Sequence, residues 1–246
     1  MTTLEISHSK RLLIIPDIHN KTTRAEEMIM MVEPDHTIFL GDYFDSFGDS
    51  YMEADDTARW LKKSLEKPDR THLVGNHDLS YMTPNPYLKC SGYDGAKYKT
   101  IAEHCIDWKK LVLYCQINDD WLCTHAGLSK RFCDSFDGNI HDILESSARD
   151  LSTIHDSDAP HPFFQVGKLR GGTKSVGGIL WCDYDEFEDI PGIRQIFGHT
   201  NSGDIRHVTN KDSEHYCIDT GMRHYALYHD GELRVLKTRS LTTKPC

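Results

Sequence analysis

Six side chains of the kinds that bind hard or borderline divalent metals sit at the ends of short apolar runs: Asp17, His19, Asp42, Asn76, His125 and His199. The punctuation is the same each time. Leu12 to Pro16 leads into Asp17-Ile18-His19, and Thr37 to Leu40 into Gly41-Asp42-Tyr43-Phe44-Asp45. Thr71 to Val74 leads into Gly75-Asn76-His77-Asp78, Trp121 to Thr124 into His125-Ala126-Gly127, and Gln195 to Phe197 into Gly198-His199-Thr200-Asn201. Carboxylates, imidazoles and an amide oxygen suit two adjacent divalent cations, provided at least one carboxylate bridges them. Such a pair suits hydrolysis of a phosphate ester. It polarises phosphoryl oxygens and lowers the pKa of a shared water until hydroxide exists near neutral pH. No thiolate joins the set, so Mn²⁺, Fe or Zn²⁺ fits better than a soft ion. A lone His or Asp at a strand end is usually a cap or turn residue. Five such endings in one chain indicate a single site built where the strands stop.

The elements that must position these groups follow from periodicity. The near-continuously apolar run 37–40 reads as a buried strand. Gly41 stops it and delivers Asp42 and Asp45 to the carboxyl edge of a sheet, where open α/β sheets place ligands. Met1 to Lys10 reads as a polar leader, and Arg11 to Pro16 as the first strand. Ala25, Met28, Ile29 and Val32 mark a helix over 22–32, which completes a βαβ unit with 37–40. Ala54, Ala58, Leu61 and Leu65 mark a helix over 53–67 with Pro68 past its end, and a strand at 70–74 completes a second unit. Residues 79–95 read as a long loop with a short turn of helix at most, and 97–108 as helix. From Leu111 the pattern changes. Strands at 111–117 and 120–124 form a hairpin around Asn118-Asp119, 140–154 reads as helix, and 156–178 is irregular. Strands follow at 194–198, 204–208, 214–218, 223–229 and 232–237, the last two joined by an Asp230-Gly231 turn. No repeat, low-complexity segment or linker interrupts the chain, so one domain over 1–246 is expected.

At 246 residues the chain can bury a substantial core. Its 38 acidic and 28 basic residues, net −10, argue against a uniformly basic nucleic-acid footprint. Part of that acidity can be metal-binding carboxylate. The eight cysteines, at 90, 105, 115, 123, 133, 182, 217 and 246, show no C-x-x-C spacing. They read as free thiols in a reducing compartment. The first ten residues carry no signal-peptide pattern, and nothing approaches the ~20 apolar residues of a membrane span. A cytoplasmic protein with no membrane partner is expected.

The ordered series D-I-H, G-D-Y-F-D, G-N-H-D, T-H-A-G-L and G-H-T, across residues 17 to 200, resembles the calcineurin-like metallophosphoesterase superfamily. L-G-D-Y-F-D, V-G-N-H-D-L, H-A-G-L-S, L-W-C-D at 180–183 and I-D-T-G at 218–221 are similar to its phosphoprotein phosphatase and symmetrical diadenosine tetraphosphatase branch. The resemblance implies an α/β fold, a four-layer α-β-β-α sandwich with two mixed β-sheets. It implies that Asp17 and His19 hold a first metal, that Asp42 bridges, and that Asn76, His125 and His199 hold a second. His77 would protonate the leaving oxygen, oriented by Asp45, since an imidazolium bonded to a carboxylate has a raised pKa. The implied cofactors are two divalent ions, manganese first, with iron, zinc or nickel as alternatives. The implied reaction is hydrolysis of phosphomonoesters by metal-hydroxide attack, on a phosphoprotein or a small nucleotide.

Two positions depart from the pattern. Asn201 stands where many superfamily members carry another His for the first metal; the phosphoprotein-phosphatase branch also lacks it and completes the shell with water. Ser46 stands where that branch has a phosphate-clamping Arg, and a serine lacks the bidentate guanidinium fork. Arg170, in K-L-R-G-G-T-K-S-V-G-G, is a candidate replacement, because glycines let N–H groups and a basic side chain approach an anion. A solvated loop is the plainer reading there. Asp78 is expected to support the site from behind. His104, His141, His155 and His161 read as ordinary polar positions, and Asp156 and Asp158 as part of a solvated loop. A dinucleoside polyphosphate hydrolase would need a base pocket, for which Tyr81, Tyr87 and Tyr93 offer either stacking surface or packing. A phosphodiesterase or nuclease of the same superfamily is a further alternative, although the net charge disfavours stable nucleic-acid binding. A silent scaffold is disfavoured because all six ligands, His77 and Asp45 are present.

Overall fold

In the computed structural model, which describes residues 3–5, 9–154 and 161–238, two β-sheets pack face to face. The first half contains β1 (Thr3–Leu4), β2 (Leu12–Ile15), α1 (Thr22–Val32), β3 (His36–Phe39), α2 (Tyr51–Ser64), β4 (Arg70–His72), α3 (Asn76–Met82) and α4 (Gly95–Glu103). The second half contains β5 (Tyr114–Ile117), β6 (Trp121–Thr124), α5 (Lys130–Cys133), α6 (Ile140–Ser152), β7 (Arg194–Phe197), β8 (Arg206–Thr209), β9 (Glu214–Cys217), β10 (His224–His229) and β11 (Glu232–Lys237). One sheet has strand order β1-β5-β6-β7-β9-β8, the other β11-β10-β2-β3-β4, and both mix parallel with antiparallel neighbours.

Alternation along β2 explains the layering. Leu12 and Ile14 join Ile38, Leu40, Trp121, Cys123 and Ile196 in a core between the sheets. Leu13 and Ile15 face the other way, onto Ala25, Met28 and Val32 of α1 and Ala54, Ala58 and Leu61 of α2. All four β2 residues are fully buried, each contributing about 1.5–3 kcal/mol. On the opposite side Leu122 packs with Phe132, Ile143 and Leu144, so helices cover that sheet too. The α-β-β-α sandwich implied by the resemblance is the observed architecture.

Most elements lie where periodicity puts them, and the exceptions have local causes. The expected leader includes β1, which pairs in parallel with β5. The segment 79–95 is loop over 83–85 and 89–94, as read, but its first four residues belong to α3, which starts at Asn76, where the Asp78 carboxylate accepts the Gly75 N–H at 2.8 Å and caps it. A short 3₁₀ turn follows at Pro86–Leu88. The helix expected over 97–108 stops at Glu103, because Cys105 adopts a positive φ of 50°. The hairpin at the end of the chain forms as read: Asp230 and Gly231 have φ of 53° and 79°, as a tight primed turn demands. Asp156, Asp158 and His155 lie outside the described residues.

Candidate metal centre

Three of the five strand ends belong to one sheet and two to the other, so the site lies where two sheet edges meet rather than along one edge. Asp17 follows β2, Asp42 follows β3 and Asn76 follows β4, whereas His125 follows β6 and His199 follows β7. Direct contacts show the convergence. Both Asp17 carboxylate oxygens accept the His199 N–H at 3.0 Å. His125 Nε2 lies 3.0 Å from Asn76 Oδ1 and 3.2 Å from His199 Nδ1. Asp42 Oδ2 stands between the two groups, 3.4 Å from His125 Nε2 and 3.8 Å from His19 Nε2. Asp17, His19 and Asp42 form one cluster of potential ligands, and Asp42, His125 and His199 another, with Asp42 common to both.

The backbone aims these groups in ways no propensity encodes. His19, Asp42, Asp45 and His199 all adopt positive φ, between 42° and 66°. Non-glycine residues there are uncommon and cluster at functional sites. His125 Nδ1 bonds the Leu40 carbonyl at 2.8 Å and His19 Nδ1 the Phe44 carbonyl at 3.0 Å. A carbonyl only accepts, so each Nδ1 carries a proton and each Nε2 faces the cluster, where a cation would take the place of any proton it holds. The Asp78 carboxylate, fully buried, accepts the backbone N–H groups of Asp42 at 3.0 Å and Tyr43 at 2.9 Å. It therefore fixes the loop that carries Asp42. Gly198 passes so close to Asp17 that a Cβ would overlap its Oδ1. Gly198→Ala is expected to displace Asp17, lower stability by about 1–3 kcal/mol and weaken cation binding in a calorimetric titration. Wild-type affinity in that variant would show that the Asp17 position is immaterial.

Two observations indicate that this donor set suits a bound cation. His199 Nε2 is buried with no hydrogen-bond partner, an arrangement that needs an explanation in a native site. Burial, with Asp219 and Asp42 adding to it, pushes the Asp17 carboxyl up to about 7, so negative charge is crowded where a cation would relieve it. Asp42 goes the other way: burial opposes its charge, but His125, His77 and His19 hold it well below the usual carboxylate range.

His77 projects its Nδ1 to Asp45 Oδ2 at 3.0 Å, while its own backbone N–H donates to Asp42 Oδ1 at 2.9 Å. Burial works against its charge, but Asp42 and the Asp45 bond push it up to about 12. Three contacts hold the Asp45 carboxylate: His77, the Tyr81 hydroxyl at 2.6 Å and the Lys97 ammonium at 3.0 Å. Sequence reasoning missed Lys97 and treated Tyr81 only as stacking or packing. A lysine in the first turn of a helix carries no signal that it reaches back to a carboxylate. Tyr93 packs on Tyr81 and Tyr98, so of the three loop tyrosines only Tyr87 is strongly exposed. Asn201 donates to Asp219 at 3.0 Å. Arg170 reaches the site: its Nε pairs with Asp183 at 2.7 Å, and one guanidinium nitrogen lies 2.9 Å from Thr200 Oγ1 and 3.4 Å from the His199 carbonyl. His161 lies 3.6 Å from Asp150, outside this cluster.

A pH dependence follows for the metal-free protein. Burial depresses His125, yet Asp42, then Asp17 and the Leu40 carbonyl, hold it up at about 9. With His125 and His77 both above the ordinary imidazole value, the stability from their charges is complete below about pH 6.5 and is lost as pH rises through their folded values. The Tm of metal-free protein is expected to fall by about 3–6 °C between about pH 7 and 9. Saturating Mn²⁺ should flatten that fall, because a cation replaces the proton on His125. A Tm that rises over the same range would contradict these environments.

Comparison with known proteins gives a consistent picture. A model described as calcineurin-like phosphoesterase matches residues 10–203. A serine/threonine-protein phosphatase, PP2A-like PPG1 of Saccharomyces cerevisiae, is 24% identical over 212 residues, covering 77% of this chain and 56% of its own. The chain thus spans little more than half the length of that relative. A cold-active protein-tyrosine phosphatase of a psychrophilic Shewanella superposes with a TM-score of 0.60 at 14% identity, over 96% of this chain and 82% of its own. A serine/threonine phosphatase of Saccharomyces cerevisiae, similar to human phosphatase PP5, superposes with a TM-score of 0.56 at 11% identity, over 99% and 85%. Among the described residues no helix is long and apolar enough to cross a membrane.

Proposed function

This chain belongs to the calcineurin-like phosphoesterase family, and from that premise we propose that it is a metal-dependent phosphatase that hydrolyses phosphomonoesters at a pair of divalent cations. The observation that carries the reading is Asp42 Oδ2, shared between His125 at 3.4 Å and His19 at 3.8 Å. Asp17, His19 and Asp42 would hold one cation, and Asp42, Asn76, His125 and His199 the other. When bound, two such cations polarise the phosphoryl oxygens and lower the pKa of a water between them. Manganese is the first choice, because the donors are carboxylate, imidazole and amide.

The chain's own residues do the rest. His77 gives its proton to the leaving oxygen, and Asp45, steadied by Lys97 and Tyr81, keeps the imidazole charged and oriented. Arg170 grips a phosphate oxygen in place of the arginine missing at Ser46; Asp183 and Thr200 hold it beside His199. Arg170→Ala is expected to raise KM about tenfold or more at unchanged metal content, and Arg170→Lys to restore little. An unaltered KM would remove Arg170 from the substrate site.

A phosphoprotein is the preferred substrate. The yeast relative is a serine/threonine-protein phosphatase, and Tyr81 and Tyr93 are engaged in the structure rather than free to stack on a base. Metal-stripped protein should be assayed with Mn²⁺, Fe²⁺, Zn²⁺ or Ni²⁺ against a phosphopeptide, diadenosine tetraphosphate, a cyclic nucleotide and an aryl phosphate. The expected result is Mn²⁺-restored hydrolysis of the phosphopeptide and aryl phosphate. Preference for the tetraphosphate or the cyclic nucleotide would overturn the substrate class, and inactivity with every metal would overturn the enzyme reading.

A further inference from the structure

A third set of metal-binding atoms converges beside the two cation positions, and no role above uses it fully. Asp45, His77 and Cys90 each offer one ligand atom within 4.8 Å of the others. His77 Nδ1 lies 3.0 Å from Asp45 Oδ2 and 3.4 Å from Cys90 Sγ. The three come from separate segments: the turn after β3, the first turn of α3, and the stretch between α3 and α4. With Zn–N and Zn–O near ~2.0 Å and Zn–S near ~2.3 Å, the edges of a tetrahedral zinc site are roughly 3.3–3.5 Å. The two edges at His77 need only small expansion to match, and the third lies within 4.8 Å.

The surroundings support a site rather than a chance approach. Asp45 Oδ1 is already held by Tyr81 and Lys97, which leaves Oδ2 directed at His77. The charge of Lys97 is balanced by Asp49 at 2.6 Å, so it does not simply repel a cation. Cys90 is positioned by Ser80, whose hydroxyl accepts the Cys90 N–H at 3.0 Å and lies 3.1 Å from its sulfur. His77 and Cys90 are both partly exposed, which gives an ion a way in.

We propose that Asp45, His77 and Cys90 form an inhibitory site for a thiophilic divalent cation of the zinc class, with solvent as the fourth ligand. A cation there occupies His77 Nδ1 and takes Asp45 away from it. An imidazole bound through Nδ1 with one proton on Nε2 is a far weaker acid than imidazolium. Turnover therefore stops while both hydrolytic cations stay in place. The inhibition rests on the proposed role of His77 as proton donor; the binding does not.

The test uses Mn²⁺-loaded full-length protein titrated with Co²⁺, then Zn²⁺. The two hydrolytic positions offer no thiolate, and Cys105 is the other free cysteine exposed among the described residues, so the part of a thiolate-to-cobalt charge-transfer band in the near ultraviolet that is lost in Cys90→Ser reports the Cys90 site. Wild-type protein is expected to develop the band, and Cys90→Ser to lack it while keeping wild-type Mn²⁺ content. Zn²⁺ should inhibit wild type at concentrations at least about tenfold below those needed for Cys90→Ser, each relative to its own uninhibited rate. No band in wild type, or an unchanged band in Cys90→Ser, overturns the site. A Cys90-dependent band with equal Zn²⁺ sensitivity in both proteins overturns the inhibition. The band is readable whether or not the protein hydrolyses any ester, so failure here is distinct from failure of the phosphatase reading.

Discussion

His77→Asn is expected to keep both cations and lose turnover by about 10²–10⁴-fold on an alkyl phosphomonoester, the range a positioned general acid supplies. The imidazole is built to stay charged: Asp42 and Asp45 outweigh the burial that would neutralise it. An asparagine can still bond Asp45 but has no proton to give. The hydrogen bond that joins this residue to the metal cluster is its backbone N–H on Asp42, which the substitution leaves in place; the edge-on contact of its ring with His19, at 5.3 Å between centroids, is what the substitution gives up. The deficit should shrink on an aryl phosphate whose phenolate leaves without help. A variant as active as wild type on phosphoserine, or equally impaired on both esters, would remove His77 from the role of acid.

Asp42→Asn is expected to cost more, because it strikes both cations together. An amide in place of the carboxylate takes away a charge that the two ligand clusters share, and it turns a donor N–H group toward one of them. His125, held up at about 9 largely by Asp42 against the pull of burial, would lose its principal support. Metal affinity should fall by at least about 10–100-fold, and turnover toward the metal-free level. Asp78 is the useful comparison. It touches the Asp42 backbone but neither ligand cluster, so Asp78→Asn should loosen the loop and leave some bound metal. Full Mn²⁺ occupancy in Asp42→Asn would refute the shared position.

The convergence of the candidate ligands was legible in sequence because these groups fall at strand ends, where Gly-Asp, Gly-Asn-His and Gly-His steps interrupt apolar runs that declare themselves locally. What could not be read lies in relations between distant residues or in backbone geometry. The positive φ of Asp42 and His199 leaves no mark in a sequence that permits many values there. Lys97 reaches Asp45 across 52 positions, and nothing about a lysine in a helix announces that. Arg170 was singled out for its glycines, yet what brings it to His199 is its pairing with Asp183 and Thr200. The early start of α3 was readable in principle. Gly75 followed by Asp78 at the third helical position is an N-terminal signature, masked because Asn76 between them read first as a ligand and Asp78 as its support. The strand at Thr3–Leu4 is too short for any periodicity to show.

The claim on which the rest depends is that two cations sit side by side and share Asp42. Electron paramagnetic resonance of metal-stripped protein reloaded with Mn²⁺ tests it most directly. Two equivalents bound per chain with an exchange-coupled spectrum, lost in Asp42→Asn, is the predicted result. A spectrum of isolated Mn²⁺, or saturation at a single equivalent, would contradict it.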